Sequence, residues 1–95
     1  MKVSENICSL IRTNKITFSK KAISYIAQNK YSLIDFKNAV LNGYMKKKEK
    51  DETNISDYKY TILGPALNGK ELYTCGKIIL MDGKKYFFIT IHEAD

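Results

Sequence analysis

The sequence predicts an α+β domain, with two to three N-terminal helices packed on one face of a three- to four-stranded antiparallel sheet. Three observations predict it. Apolar residues recur at helical spacing only in the first half of the chain. Runs rich in Tyr, Ile, Phe and Thr fill the second half and read as strands. Those runs are separated by "LNGK" and "MDGK", whose Asn68-Gly69 and Asp82-Gly83 pairs are the strongest short hairpin signal. Helices followed by consecutive hairpin strands segregate into the two parts of an α+β fold.

Taken in order, Ser4 caps a first helix whose apolar positions are Ile7, Leu10 and Ile11, with Val3 placed to pack on Cys8 as a hydrophobic staple. Asn14 ends it. "ITFS" is a short extended piece. Ser19 caps a second helix with Ala22, Ile23, Ile26 and Ala27 on one face, broken by "NKYS". Ser32 caps a third, with Asp35 completing a capping-box pattern and Leu33, Phe36, Val40 and Leu41 as its stripe. Gly43 after Asn42 is a helix terminator. "YMKKKEKDE", 44–52, reads either as an exposed edge strand guarded by lysines or as a loop. Strands at 58–64 and 70–81 follow, and "KKYFFITIHEA" is the last.

Ninety-five residues make one domain, 1–95, with no room for a second core. The net charge of +6 and pI near 9.3 suit an anionic partner, whether nucleic acid, an acidic protein or a membrane surface, although a basic solvated surface has the same composition. Fifteen of the sixteen basic residues are Lys, and Arg12 is the only Arg. Lysine neutralises phosphates but lacks the planar fork that reads guanine, which argues against base-specific reading in a DNA groove. One histidine and two well-separated cysteines, Cys8 and Cys75, offer too few ligands for a metal, and neither a disulfide framework nor a cofactor motif is suggested. With no signal peptide and no apolar run of transmembrane length, the expected location is the cytoplasm, with no membrane partner.

Pairing across a two-residue Asp82-Gly83 turn sets Ile79 opposite Tyr86, Lys77 opposite Phe88, Cys75 opposite Thr90, and Tyr73 opposite His92. One sheet face then carries Tyr73, Cys75, Lys77, Tyr86, Thr90 and His92. The opposite, greasier face is the one expected to meet the helices. The same arithmetic through Asn68-Gly69 adds Tyr58, Tyr60 and Ile62 to the mixed face, where a one-residue slip would exchange the faces. A face of this kind can stack bases on aromatic rings while lysines hold phosphates. The plain alternative is that tyrosines suit a half-buried sheet.

The segments "TFSKKAISYI", "VLNGY", "YTILGPALNGKELY" and "FITIHEAD" occur in an order that resembles a small bacterial domain family. That family shows an F-S-x-H-A-x-x-R helix start, a helix ending in N-G, a Y-x-x-x-G strand, a G-x-x-L-H strand and a final I-T-V-Y-E-P-D. Its members are similar to RelE, BrnT and MqsR toxins and often neighbour zinc-finger antitoxins resembling MqsA. The resemblance implies a RelE/MqsR-like fold and a type II toxin–antitoxin role. It also implies a metal-independent endoribonuclease acting on mRNA, free or ribosome-bound, with a cognate antitoxin as partner. Four of the chain's departures from the pattern bear on the chemistry. Lys21 stands at the family His, Tyr25 at the Arg one turn later, Tyr73 at the second His and His92 at the Tyr. The last two changes are reciprocal, and the hairpin arithmetic pairs those two residues directly.

Metal-free RNA cleavage uses the 2′-hydroxyl as nucleophile and needs a base, an acid and positive charge at the phosphate. Histidine is the side chain whose ordinary pKa lies nearest neutral, so His92 is the candidate acid or base. Lys21 and Lys77 are the candidate cations, and Tyr73, or Tyr25 at the helix position, is a candidate proton donor or stacking ring. Tyr25, Tyr58, Lys59, Tyr60 and Thr90 are the candidate RNA contacts. Loss of the family His and Arg leaves two alternatives open: a catalytically weakened RNA- or protein-binding module of the same fold, and a phage or mobile-element protein that engages a host protein. For an isolated histidine, the plain reading is a ring that caps the sheet end and bonds Glu93 or Tyr73.

Overall fold

Three serines start the three helices. The computed structural model describes residues 1–29, 31–52 and 54–94; Lys30 of the "NKYS" break and Asp95 behind His92 lie outside them. Ser4 Oγ accepts the Ile7 N–H at the start of α1 (Glu5–Arg12). Ser19 Oγ accepts the Ala22 N–H, 3.0 Å, at the start of α2 (Lys20–Asn29). Ser32 N–H donates to Asp35 Oδ2, 2.9 Å, at the start of α3 (Leu33–Leu41). Each cap satisfies main-chain groups that a helix end leaves open. Asp35 also accepts the Leu67 N–H, 2.9 Å, and so ties α3 to a loop of the sheet. Asn14, at φ 59°, turns the chain out of α1.

The strands are β1 (Ile16–Phe18), β2 (Tyr44–Asp51), β3 (Asn54–Pro65), β4 (Glu71–Leu80) and β5 (Lys84–Glu93). They form one sheet in the order β1-β5-β4-β3-β2. The α+β class holds, but the sheet has five strands and is mixed. "ITFS" becomes β1 and pairs parallel with β5, Thr17 opposite Phe87. That pairing joins the two ends of the chain, and no hairpin signal announces it. The lysine-rich stretch is β2, an edge strand.

The two hairpins differ from the sequence arithmetic in related ways. The β4–β5 turn takes three residues, Met81 to Gly83, with Asp82 and Gly83 both at positive φ (54° and 93°). Ile78 therefore faces Tyr86 and Gly76 faces Phe88. A β-bulge follows between Gly76 and Cys75, with Ile89 as the extra residue, and it restores the expected register: Cys75 opposite Thr90, Tyr73 opposite His92. The slip and the bulge cancel. Between them, Tyr86 leaves the mixed face and joins Phe88 in the core. The β3–β4 loop spans 66–70, so Tyr60 faces Gly76 and Ile62 faces Thr74. This one-residue slip turns Tyr58, Tyr60 and Ile62 to the helix side and leaves Lys59, Thr61 and Leu63 on the open face.

The core lies between the helices and one sheet face. Ile7, Ile11, Phe36, Val40, Ile62 and Leu72 are fully buried in it. Phe18 stacks on Phe88, 5.3 Å between centroids, and Phe36 closes on both. Within α2, Ala22 is buried but Ile23 is exposed, because the sheet meets the helix through Ala22, Tyr25 and Ile26 instead. Gly43 does not end α3 by a left-handed turn. Its place is set by contact, since a Cβ there would lie 2.1 Å from Leu63 O and 2.3 Å from Ala39 O. Both cysteines are free thiols, Cys8 buried and Cys75 half-buried. Among the described residues no helix is long and apolar enough to cross a membrane.

Candidate functional site

α2 runs beside β5 past the point where β1 ends. Lys21, Ser24, Tyr25 and Gln28 recur at the spacing of one helix face. With Thr90, Ile91 and His92 of β5 they line a cleft of about 400 Å³. Four residues singled out from sequence thus meet here: Lys21, Tyr25, Thr90 and His92. Tyr73 joins them from β4, its ring stacked on the His92 imidazole at 4.5 Å between centroids and 11° between planes. The resemblance placed a His and a Tyr at these two positions in the opposite order, and the two rings are in direct contact.

The His92 ring is exposed, and its Nδ1 lies 2.8 Å from Glu93 O. A carbonyl oxygen only accepts, so Nδ1 is the donor in this contact, and in the neutral ring Nε2 is then the nitrogen with the lone pair. This is the capping bond that the plain reading of an isolated histidine expects, and it also leaves Nε2 competent as a base. Glu93, the next residue along β5, ties the strand end to neighbouring tyrosines. Its N–H donates to Tyr25 Oη, 2.9 Å, while its carboxylate accepts a short hydrogen bond from Tyr31 Oη and lies 3.8 Å from Lys70 Nζ. Tyr25 and Tyr31 stack at 6.3 Å. The hydrogen bond to Glu93, followed by burial, raises the Tyr31 phenol above its ordinary range, so it stays the donor in that bond.

The remaining candidates lie elsewhere. Lys77 is on the open face, four residues along β4 from Tyr73, which is ~13 Å at strand rise. Its ammonium is held by Asp51 Oδ2 at 2.7 Å, and Asp51 is itself buried. Lys77 is a structural ion-pair member and not part of the cleft. Tyr58 and Tyr60 face the helix side, where they line a separate groove of about 300 Å³ with Ile78 and Leu80. The Lys48 ammonium sits over the Tyr58 ring at 4.4 Å. Burial, then Tyr58 and Asp57, raises the Tyr60 phenol. Lys59 shares the open face with Cys75, whose thiol burial pushes up. Among the described residues no histidine lines the 300 Å³ groove, so the cleft with His92 is the better candidate for acid–base chemistry.

Ser24, Gln28 and Ile91 are absent from the sequence-derived set. The first two share a helix face with Lys21 and Tyr25, and that spacing alone would have found them. Ile91 carries no sequence signal, because it reads as one more core residue of a strand.

Fold and site together define a small α+β domain with a five-stranded mixed sheet and a histidine–tyrosine cleft at one sheet edge. Comparison with family models, with curated proteins and with solved structures returns no match.

Proposed function

We propose that this chain is a metal-independent endoribonuclease of the toxin kind, related in fold to the RelE, BrnT and MqsR toxins and held in check by a cognate antitoxin. One observation carries the reading. Lys21, Tyr25 and His92, three positions where the chain departs from the family pattern, come from distant parts of the sequence and line one cleft, and Tyr73, a fourth, stacks on His92 beside it. In the proposed reaction, His92 Nε2 takes the proton from the substrate 2′-hydroxyl, whose oxygen attacks the adjacent phosphorus. The Lys21 ammonium offsets the charge that grows on the phosphate oxygens. The Tyr25 hydroxyl protonates the departing 5′-oxygen, and the Glu93 N–H already aimed at Tyr25 Oη stabilises the phenolate left behind. His92 then returns its proton through solvent.

A second reading, an RNA-binding module without turnover, is favoured by the capture of Lys77 by Asp51, which leaves Lys21 as the single cation lining the cleft among the described residues. Incubating purified protein with mRNA, with and without ribosomes, separates the two. The nuclease reading expects cleavage that falls at least ~100-fold in His92→Ala, the usual scale for losing a general base. His92 is exposed, so the fold should survive the change. Cleavage that is equal in wild type and His92→Ala would sink the mechanism. Strongly salt-dependent binding with no cleavage would favour the binding module.

A further inference from the structure

The sheet face away from the helices carries one row of side chains that starts at the cleft and leaves it. His92 of β5 faces Tyr73, Tyr73 faces Leu63, and Leu63 faces Tyr44. An isolated antiparallel bridge then sets Lys2 opposite Tyr44. Directly opposed residues of an antiparallel pair share a face, so Lys2, Tyr44, Leu63, Tyr73 and His92 form a single line. Neighbouring strands lie ~4.8 Å apart, which puts Tyr44 ~14 Å and Lys2 ~19 Å from His92. His92 belongs both to this line and to the cleft.

The far end of the line carries groups with no task inside the molecule. Tyr44 is 45% exposed. Its main chain is flanked on both sides, by Lys2 and by Leu63, so that exposure is chiefly the ring's. Lys2 is exposed as well. Among the described residues no hydrogen bond, ion pair or ring contact engages either side chain. Leu63 is buried and forms the floor of the line. Its surface is therefore made of planar rings, Tyr44 at one end and the Tyr73–His92 stack at the other. An ammonium stands at each end, Lys2 beyond Tyr44 and Lys21 in the cleft beside His92. No carboxylate belongs to the line.

Rings between two cations suit one kind of occupant. A peptide adding as a strand would bond the outer edge of β2, and at Tyr44 that edge is already taken, since Met45 N–H donates to Met1 O at 2.7 Å. An acidic peptide would use the lysines and leave the rings idle. A single-stranded nucleic acid uses both, because every base has a face that stacks and every linkage a phosphate. At ~3.4 Å per stacked nucleotide, the distance from His92 to Tyr44 corresponds to about four nucleotides.

We propose that Tyr44 and Lys2 form a second RNA subsite, remote from the cleft, where one base and one phosphate of a single strand are held as it crosses the open face from His92. The inference rests on the RNA reading of the cleft and extends it across four strands of the sheet.

The test is fluorescence anisotropy with 2′-O-methyl oligoribonucleotides of mixed sequence, which cannot be cleaved. A labelled six-nucleotide strand is the probe, and an unlabelled dinucleotide, long enough for the cleft alone, is the competitor. Tyr44→Ala should weaken the six-nucleotide strand about tenfold, the scale of one lost base stack, and leave the dinucleotide unchanged. Tyr44→Phe keeps the ring and should bind both as the wild type does. Lys2→Met should reduce the salt slope of the longer strand by about 0.7, the share of one phosphate on a single strand. Equal loss at both lengths, no loss at either, or no binding of any strand would overturn the proposal. So would displacement of the six-nucleotide strand by an equally charged polyglutamate peptide, which would assign the face to acidic proteins. Loss of cleavage with the Tyr44 effect intact would count against the nuclease alone. Cleavage with no Tyr44 effect would count against this subsite alone.

Discussion

Tyr86 is fully buried, and its hydroxyl has no hydrogen-bond partner among the described residues. The ring lies against the face of Gly76, where a Cβ would come within 2.6–2.7 Å of its outer atoms. The ring therefore fills space that the opposite strand leaves open, while the oxygen at its tip is a polar atom without compensation. Tyr86→Phe keeps the ring and removes only that atom. An unsatisfied buried hydroxyl costs roughly 1–3 kcal/mol, and the dispersion attraction of a single oxygen is worth a few times ~0.1–0.2 kcal/mol. The variant should be more stable by about 1 kcal/mol, which for a domain of this size raises Tm by roughly 4–8 °C. The gain should grow in alkali. Burial first, then Cys75 and Tyr60, pushes the Tyr86 phenol well above its ordinary value of 10.0. With the folded-state value raised, this contribution to stability is complete below pH 10 and is lost as pH rises toward the folded value. Ionisation of the unfolded tyrosine would add about 1.4 kcal/mol to the difference by pH 11. Urea titrations of both proteins at pH 7 and pH 11 read both effects. A Phe variant that is less stable at pH 7, or a difference independent of pH, would mean that the hydroxyl has a partner and would refute the reasoning.

Lys77→Met should lower stability by roughly 2 kcal/mol, because it strips a cation from a buried carboxylate. It should leave RNA cleavage unchanged, so urea unfolding together with a cleavage assay separates this structural role from a catalytic one. At Gly64 a Cβ would stand 1.8 Å from Ala39 O, so Gly64→Ala must push α3 off the sheet. A drop of about 3 kcal/mol or more in urea-unfolding stability is expected, since the obstacle is backbone and cannot rotate away. Burial pushes the Asp35 carboxyl up, but hydrogen bonds from Ser32 and Leu67 N–H outweigh it and hold the group below its ordinary 3.8. Its contribution is present above that value and lost as pH falls through the folded value, so Asp35→Asn should flatten the acid limb of a stability profile.

The helix starts were legible because each cap is local: a serine, and in one case an aspartate three residues on, suffices to place Ser4, Ser19 and Ser32. The lysine-rich stretch was legible only in part: its composition suits an exposed strand edge but suits a loop equally, and pairing with β3 decided for the strand. The pairing of Tyr73 with His92 was also legible, but through a cancellation. The three-residue turn moved every pair by one, and the Ile89 bulge moved them back. Nothing in "MDGK" or "FFITIH" announces either event. The error survived only between turn and bulge, where Tyr86 and Phe88 went to the core. At the β3–β4 loop no bulge compensates, so Tyr58 and Tyr60 stayed on the helix side.

What the sequence determined by itself is whatever depends on neighbours in the chain: helix caps, hydrophobic periods, turn positions, and the fact that a single histidine ends a hydrophobic strand. Only the tertiary structure decided which faces meet. It brought "ITFS" to the edge of β5, stopped that strand at Phe18, and set α2 beside the exposed remainder. Lys21 and Tyr25 thereby came to face Thr90 and His92 across one cleft. These outcomes depend on one extra residue in a turn and on contacts between opposite ends of the chain. Because strand side chains alternate with a period of two, a single residue is enough to exchange the two faces of a sheet.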